Sequence, residues 1–238
     1  MKRILLLFAI SLIANVVVAQ SDCMNFFPDT EGTVLETTTY DAAKRPLRTM
    51  IYRVNGSTQN IAGYGIEVGF TMMNNNEVVL NSGTINASCD NGNFRMKMDT
   101  RALTPEVMDI FSTSTELVGS FLDFPDIFNN NMNPFANPFE MTGGEFTIQS
   151  SNDNKNDIRV RVYNRQYEGN EKIFVPARRD SFDAAKITFR FEVTKDGETR
   201  QFRGEEWYST NFGIIRSETY DDNNNLVNTT LLTSIREK

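Results

Sequence analysis

Ile187-Thr188-Phe189-Arg190-Phe191-Glu192-Val193-Thr194-Lys195-Asp196-Gly197-Glu198 is the stretch on which the fold turns. Apolar Ile187, Phe189, Phe191 and Val193 alternate with polar Thr188, Arg190, Glu192 and Thr194, and a period of two marks a strand with one buried and one solvated face. Asp196-Gly197 supplies a two-residue turn whose positive φ angles match the twist of an antiparallel pair. Pairing outward from it sets Phe191 opposite Phe202. Antiparallel sheet is therefore the expected ground plan.

The same device recurs along the chain. Asn91-Gly92 is a second such turn, setting Cys89 opposite Phe94, Ala87 opposite Met96 and Ile85 opposite Met98, with Asn86, Ser88, Arg95 and Lys97 on the other face. Tyr40-Asp41 before Leu47 is echoed by Tyr220-Asp221 before Leu226, each after a Thr-rich strand carrying a Glu, and Met72-Met73 leads through Asn74 to Asn76 into Val78-Val79-Leu80. This is repeated hairpin usage rather than a solenoid repeat. Ile158, Val160 and Val162 alternate with Arg159, Arg161 and Tyr163 as a further half-exposed strand. The total expected is about ten to twelve strands, more than a flat open sheet holds without curling.

Two stretches break the pattern. Thr104 as N-cap, Pro105 at the first helical position and Glu106 in the first turn, followed by Val107, Ile110, Phe111 and Leu117, predict one short helix over 104–117. From Asp123 to Thr142 the chain mixes Phe, Asn, Pro and Met with neither period. That reads as a long loop whose Phe124, Phe128, Phe135 and Phe139 must either pack over the domain or contact something else. The clusters Asn74 to Asn76, Asn129 to Asn131 and Asn223 to Asn225 are explained by turn chemistry.

The first 19 residues read as a signal peptide: Lys2 and Arg3, an apolar run from Ile4 to Val18, and a small-residue cleavage site at Ala19 before polar Gln20-Ser21-Asp22. The mature part, 20–238, is then a single antiparallel β domain without a transmembrane segment, periplasmic or extracellular. Cys23 lies too far past Ala19 for a lipoprotein site. The whole chain has 24 basic and 31 acidic residues; losing Lys2 and Arg3 leaves 22 against 31, a net of −9. No basic tract is present to displace counterions from phosphates, which excludes nucleic acid as a partner. In an oxidising compartment Cys23 and Cys89 favour one disulfide, stabilising by about 4 kcal/mol in the chain-entropy model; the alternative is two separate thiols.

Catalytic signals are scarce. The chain has no histidine, which removes Ser-His and Cys-His mechanisms, and two distant cysteines do not make a zinc site. Glycine-rich phosphate loops and EF-hand spacing are missing, so no cofactor and no metal is expected. Glu205-Glu206 beside Trp207-Tyr208 is the nearest thing to a paired-carboxylate site, but adjacent residues of a strand point to opposite faces and cannot flank one glycosidic bond. No catalytic residue is assigned. Trp207-Tyr208 is the most tempting ligand surface, with core packing as the plainer reading.

Four stretches resemble the TapB-like family of exported bacterial proteins. They are Cys23 with Phe27-Pro28, Glu31-Gly32 and Tyr40-Asp41; Cys89-Asp90 with Phe94 and Met98-Asp99; Asn164-Arg165 through Val175-Pro176-Ala177 to Lys186-Ile187-Thr188; and Glu206-Trp207-Tyr208 through Gly213-Ile214-Ile215 and Glu218 to Asp221, closing on Leu231 to Ser234. The chain departs from that pattern at Arg178-Arg179 and in the Phe/Asn/Pro-rich loop at 123–142. The resemblance implies a curved antiparallel sheet or open β-barrel, adds weight to the Cys23–Cys89 bridge, and carries no activity.

The function expected is that of an exported, non-enzymatic envelope protein binding an apolar or amphipathic small molecule in its curved sheet. The alternative is a protein-protein interaction or structural module of the envelope. The interior discriminates: a void lined by Met and Phe favours the carrier, a filled core the partner-binding module.

Overall fold

The computed structural model describes residues 27–60, 63–90, 93–97, 116–119, 121–124, 139–149 and 157–237. Fourteen strands form one antiparallel sheet among the described residues. In chain order they are β1 (Val34–Asp41), β2 (Pro46–Asn60), β3 (Gly63–Asn74), β4 (Val79–Asp90), β5 (Asn93–Lys97), β6 (Glu116–Gly119), β7 (Phe121–Phe124), β8 (Phe139–Met141), β9 (Gly144–Gln149), β10 (Ile158–Ile173), β11 (Phe182–Lys195), β12 (Glu198–Ser209), β13 (Gly213–Tyr220) and β14 (Leu226–Arg236). β6, β7 and β8 have only three or four residues each, and the other eleven fall within the expected ten to twelve. No helix of the described residues is long and apolar enough to cross a membrane.

Local chemistry accounts for the hairpins. Asp196 and Gly197 take φ of 53° and 81°, the mirror-image turn that strand twist demands. Phe191 pairs with Phe202, and their rings stack at 5.1 Å. Cys89 pairs with Phe94 and Ala87 with Met96, while the expected partner of Ile85, Met98, lies outside the described residues. On β10, Ile158, Val160 and Val162 are buried and Arg159 and Arg161 exposed.

The sequence echo becomes one loop built three times. At Asp41, Asn74 and Asp221 the backbone amide bonds the carbonyl four residues on, in Arg45, Val78 and Asn225, at 2.9–3.0 Å. Each of these side chains also accepts the amide of that fifth residue, at 2.8, 3.0 and 2.8 Å. The fourth residue, Lys44, Glu77 or Asn224, turns left-handed at φ of 61–62°. An Asx side chain at the first position is what makes the turn self-supporting. The clusters at 74–76 and 223–225 thus serve as turns; 129–131 lies outside the described residues.

The sheet's path begins at β6, runs through β9, β10, β11, β12, β13, β14, β1, β2, β3, β4 and β5, and ends at β7, with β8 on β10 beside β9. Laid flat at about 4.8 Å per strand, β6 and β7 would stand roughly 55–60 Å apart. Yet β6 ends at Gly119 and β7 begins at Phe121, and Cα atoms two residues apart are separated by at most about 7.6 Å. The sheet is therefore curled until its two ends meet in a short seam, an open barrel. Its inward face is the core: Met72, Ile148, Val160, Phe191 and Leu232 are all 0 % exposed.

Two local expectations are corrected. The helix over 104–117 fails at its end, since Glu116 and Leu117 open β6 and pair with Gln149 and Ile148; 104–115 lies outside the described residues. Ladder hydrogen bonds to β9 outweigh Leu117's helical spacing. The loop 123–142 is narrower than read, because Asp123-Phe124 closes β7 against β5 and Phe139–Met141 is β8; 125–138 lies outside the described residues. The signal peptide (1–19) and Cys23 lie outside them too, whereas Cys89 is buried on β4.

Close packing fixes β12 against β11. A Cβ added at Gly204 would stand 2.2 Å from Phe189 Cζ, so the phenyl ring lies flat on the glycine. Gly204→Ala is expected to destabilise by about 1–3 kcal/mol. Combining it with Phe189→Leu is expected to cost less than the sum of the two single changes, a coupling that denaturant titration of the four proteins measures.

Candidate functional site

Odd-numbered residues of β12 face outward, and cross-strand register arranges them. Trp207 lies between Lys186 and Arg216, Glu205 between Thr188 and Glu218, and Arg203 between Arg190 and Tyr220. Two carboxylates directly opposite would repel, and each is given its own cations. Glu205 takes Lys186 at 2.7 Å and Arg203, and Glu218 takes Arg216. The Tyr220 hydroxyl donates to Glu218 at 2.5 Å. Arg203 covers the Tyr220 ring at 4.0 Å, while Arg216 and Lys186 lie over the Trp207 indole at 4.8 and 5.1 Å.

These seven side chains form a closed ring of ion pairs, a hydrogen bond and cation–π contacts across β11, β12 and β13. The indole N–H leaves the ring to donate to Glu171 of β10. Trp207 is 4 % exposed, so no indole face is open to a ligand. The arrangement is a brace on the outer face. It also separates the sequence candidates: Glu205 joins the ring, while Glu206 turns inward and accepts the Tyr208 hydroxyl, so the two carboxylates share no substrate position.

Burial and Glu218 push the Tyr220 phenol up to about 12. Burial alone would raise the Glu205 carboxyl, but the hydrogen bonds from Lys186 and Arg203 outweigh it and hold the group below 4.5. Glu205's contribution to stability is thus complete above its ordinary value and lost as pH falls through the lowered one. Tyr220's is complete below about 10 and lost as pH rises toward 12.

Inside, one row crosses five strands in register: Glu206, Ser217, Thr230, Thr39 and Arg48. All are buried. Thr39 and Thr230 share a hydrogen bond of 2.8 Å, and Ser217 Oγ is a buried hydroxyl without a partner among the described residues. Buried Ile187 stands opposite Glu206 at the β11 end of the row, and buried Phe189 on β11 and Met50 on β2 lie next along the same face. Among the described residues no three Cys, Asp or Glu side chains gather as metal ligands.

Sequence reading weighed Glu205, Glu206, Trp207 and Tyr208 alone and missed Lys186, Arg203, Arg216, Glu218 and Tyr220. The available signal was a pair of alternating triplets, Arg203/Glu205/Trp207 and Arg216/Glu218/Tyr220, on either side of a short turn. If the ring is a brace, Trp207→Ala costs about 3–5 kcal/mol. Melting temperature against pH is expected to fall below 4.5 and again between 10 and 12, Glu205→Gln softening the acid limb and Tyr220→Phe the alkaline one.

No curated protein matches the chain. Among solved structures, it is similar to a candidate exported protein of Bacteroides fragilis with a YmcC-like fold, at 28 % identity and TM-score 0.83, over 90 % of this chain and 100 % of that one. A candidate lipoprotein of Parabacteroides distasonis is also 28 % identical, with TM-score 0.80 and the same coverage. The finer TapB-like likeness is not among these findings. The family model described as DUF3108-like matches residues 30–232, and the chain belongs to that DUF3108-like family.

Proposed function

We propose that the protein is an exported, non-enzymatic module of the bacterial envelope, periplasmic or extracellular, that works through its outside surface by docking another envelope protein. The observation that carries this is the contrast between the two sides. The inward Met and Phe are covered, Met72 and Phe191 to 0 %, whereas Phe174 stands 70 % exposed directly after β10. A large aromatic held in water on an ordered connection is what a contact residue looks like before its partner arrives. Its neighbours are firmly placed: Arg178 lies over the Phe182 and Phe212 rings at 5.3 and 4.5 Å, and the Ala177 amide bonds the Leu232 carbonyl at 3.2 Å.

Export is supported by the leader-like start and by what the two solved relatives are described as. The TapB-like likeness and the Cys23–Cys89 bridge belong to the same proposal. An apolar or amphipathic ligand in the interior is the second reading, favoured by the buried Ser217 hydroxyl; such a ligand would have to displace what covers the interior.

A photo-crosslinking residue placed at 174 in cells is expected to give a discrete adduct with an envelope protein, while one at exposed Glu198 gives none. Phe174→Ser is expected to abolish binding of that partner with stability changed by no more than about 0.5 kcal/mol. Absence of any adduct at 174, together with a small molecule retained in native mass spectrometry, would overturn the docking reading in favour of the carrier.

A further inference from the structure

We propose that an outer-face cleft between β8, β9 and β10 binds an acidic saccharide, one or two sugar rings carrying a carboxylate or phosphate. The cleft is walled by Gly143 to Glu145 and Arg161 to Asn164 and has a volume of about 400 Å³, within the range of small-molecule sites. It lies on β10, the strand next to the outer-face ring, and does not depend on the docking role of Phe174.

Backbone geometry opens it. β10 pairs with β9 through Ile158 to Val162 and with β8 through Arg165 to Tyr167, so Tyr163 and Asn164 have no ladder partner on that side. The register with β11 also slips between Tyr163 and Gln166, and Asn164 is left-handed at φ 50°. The connection from β8 to β9 lies hard against this gap: a Cβ at Gly143 would meet the Val162 carbonyl oxygen at 2.2 Å. Arg165, 1 % exposed, pins that connection by donating to the Thr142 carbonyl at 2.8 Å. Bulges and left-handed non-glycine residues concentrate where a fold re-aims side chains for use.

The side chains then specify the ligand. Arg161 stands directly opposite both Glu145 and Glu192, yet each acid is engaged elsewhere. Glu145 holds Arg159 at 3.0 Å, and Glu192 accepts Tyr163 at 3.4 Å and Gln201 at 3.2 Å. Arg161 makes no ion pair among the described residues; its guanidinium lies over the Tyr163 ring at 5.7 Å. A planar five-donor fork fits a carboxylate or phosphate. Arg190 stands opposite Tyr163 on β11, outside the cleft's walls, and the acidity of the rest of the chain is screened beyond about 8 Å. The Asn164 amide supplies both a donor and an acceptor for sugar hydroxyls, and the tyrosine ring offers an apolar edge to a pyranose C–H face.

Titration of the isotope-labelled protein with glucuronate, glucose 1-phosphate, glucose and acetate, read by amide chemical shifts, tests this. At least one of the two acidic sugars is expected to move Gly143, Gly144, Tyr163 and Asn164, about tenfold more tightly than glucose or acetate. Arg161→Gln is expected to erase that preference without moving the melting temperature. Acidic sugar and glucose binding alike, acetate binding as well as the acidic sugars, an Arg161→Gln protein that keeps the preference, or no shift at these four amides with any probe would overturn the proposal.

Discussion

A single residue stands between Gly119, the last residue at one end of the sheet, and Phe121, the first at the other. That covalent constraint is what the rest of the structure depends on. It forces about a dozen strands to curl through a full circuit, and it turns one face of every strand into shared interior. Eight strands leave an interior that side chains just fill. A dozen leave more, and here bulky groups occupy it: Tyr52, Phe94, Phe146, Phe191 and Tyr208 are each no more than 2 % exposed. The same demand explains why Phe189 is allowed to lie flat on Gly204.

Curling also separates the work of the two faces. On the outside of β11 to β13 the ring of Lys186, Glu205, Arg203, Tyr220, Glu218, Arg216 and Trp207 satisfies every charge it contains with a neighbour, which suits a brace and leaves little for a ligand. Inside, the row from Glu206 to Arg48 is polar but covered. Among the described residues, Phe174 beyond the end of β10, Val78 and Val79 before and at the start of β4, and the cleft where β10 changes partner from β9 to β8 stay open. The proposed docking role rests on this exterior.

Much of this was legible in the sequence where information is local. Asp196-Gly197 and the alternation before it define β11, β12 and the Phe191–Phe202 pair, and the echo of Tyr40-Asp41 in Tyr220-Asp221 announces a repeated Asx loop. The closure was not legible. β6 and β7 have four residues each, too few to show a period of two, and their partners, Phe146 to Gln149 and Phe94 to Lys97, lie 24 to 33 residues away in the chain. Leu117 consequently read as the end of a helix with a well-formed start, and Phe124 as part of a loop. The outer ring escaped for a different reason: pairing outward from Asp196-Gly197 already sets Lys186 opposite Trp207, but the β12–β13 register that adds Arg216, Glu218 and Tyr220 carries a shift between Trp207 and Tyr208 that the spacing does not announce.

Backbone nuclear Overhauser contacts across both ends of the sheet test the closure most directly. The account predicts that one monomer shows contacts from Phe121 to Lys97 and, at the same time, from Gly119 to Phe146. Finding only one of the two sets, or finding that the second appears only between isotopically distinct copies of the chain, would show that the sheet does not curl back on itself and would contradict the account at its base.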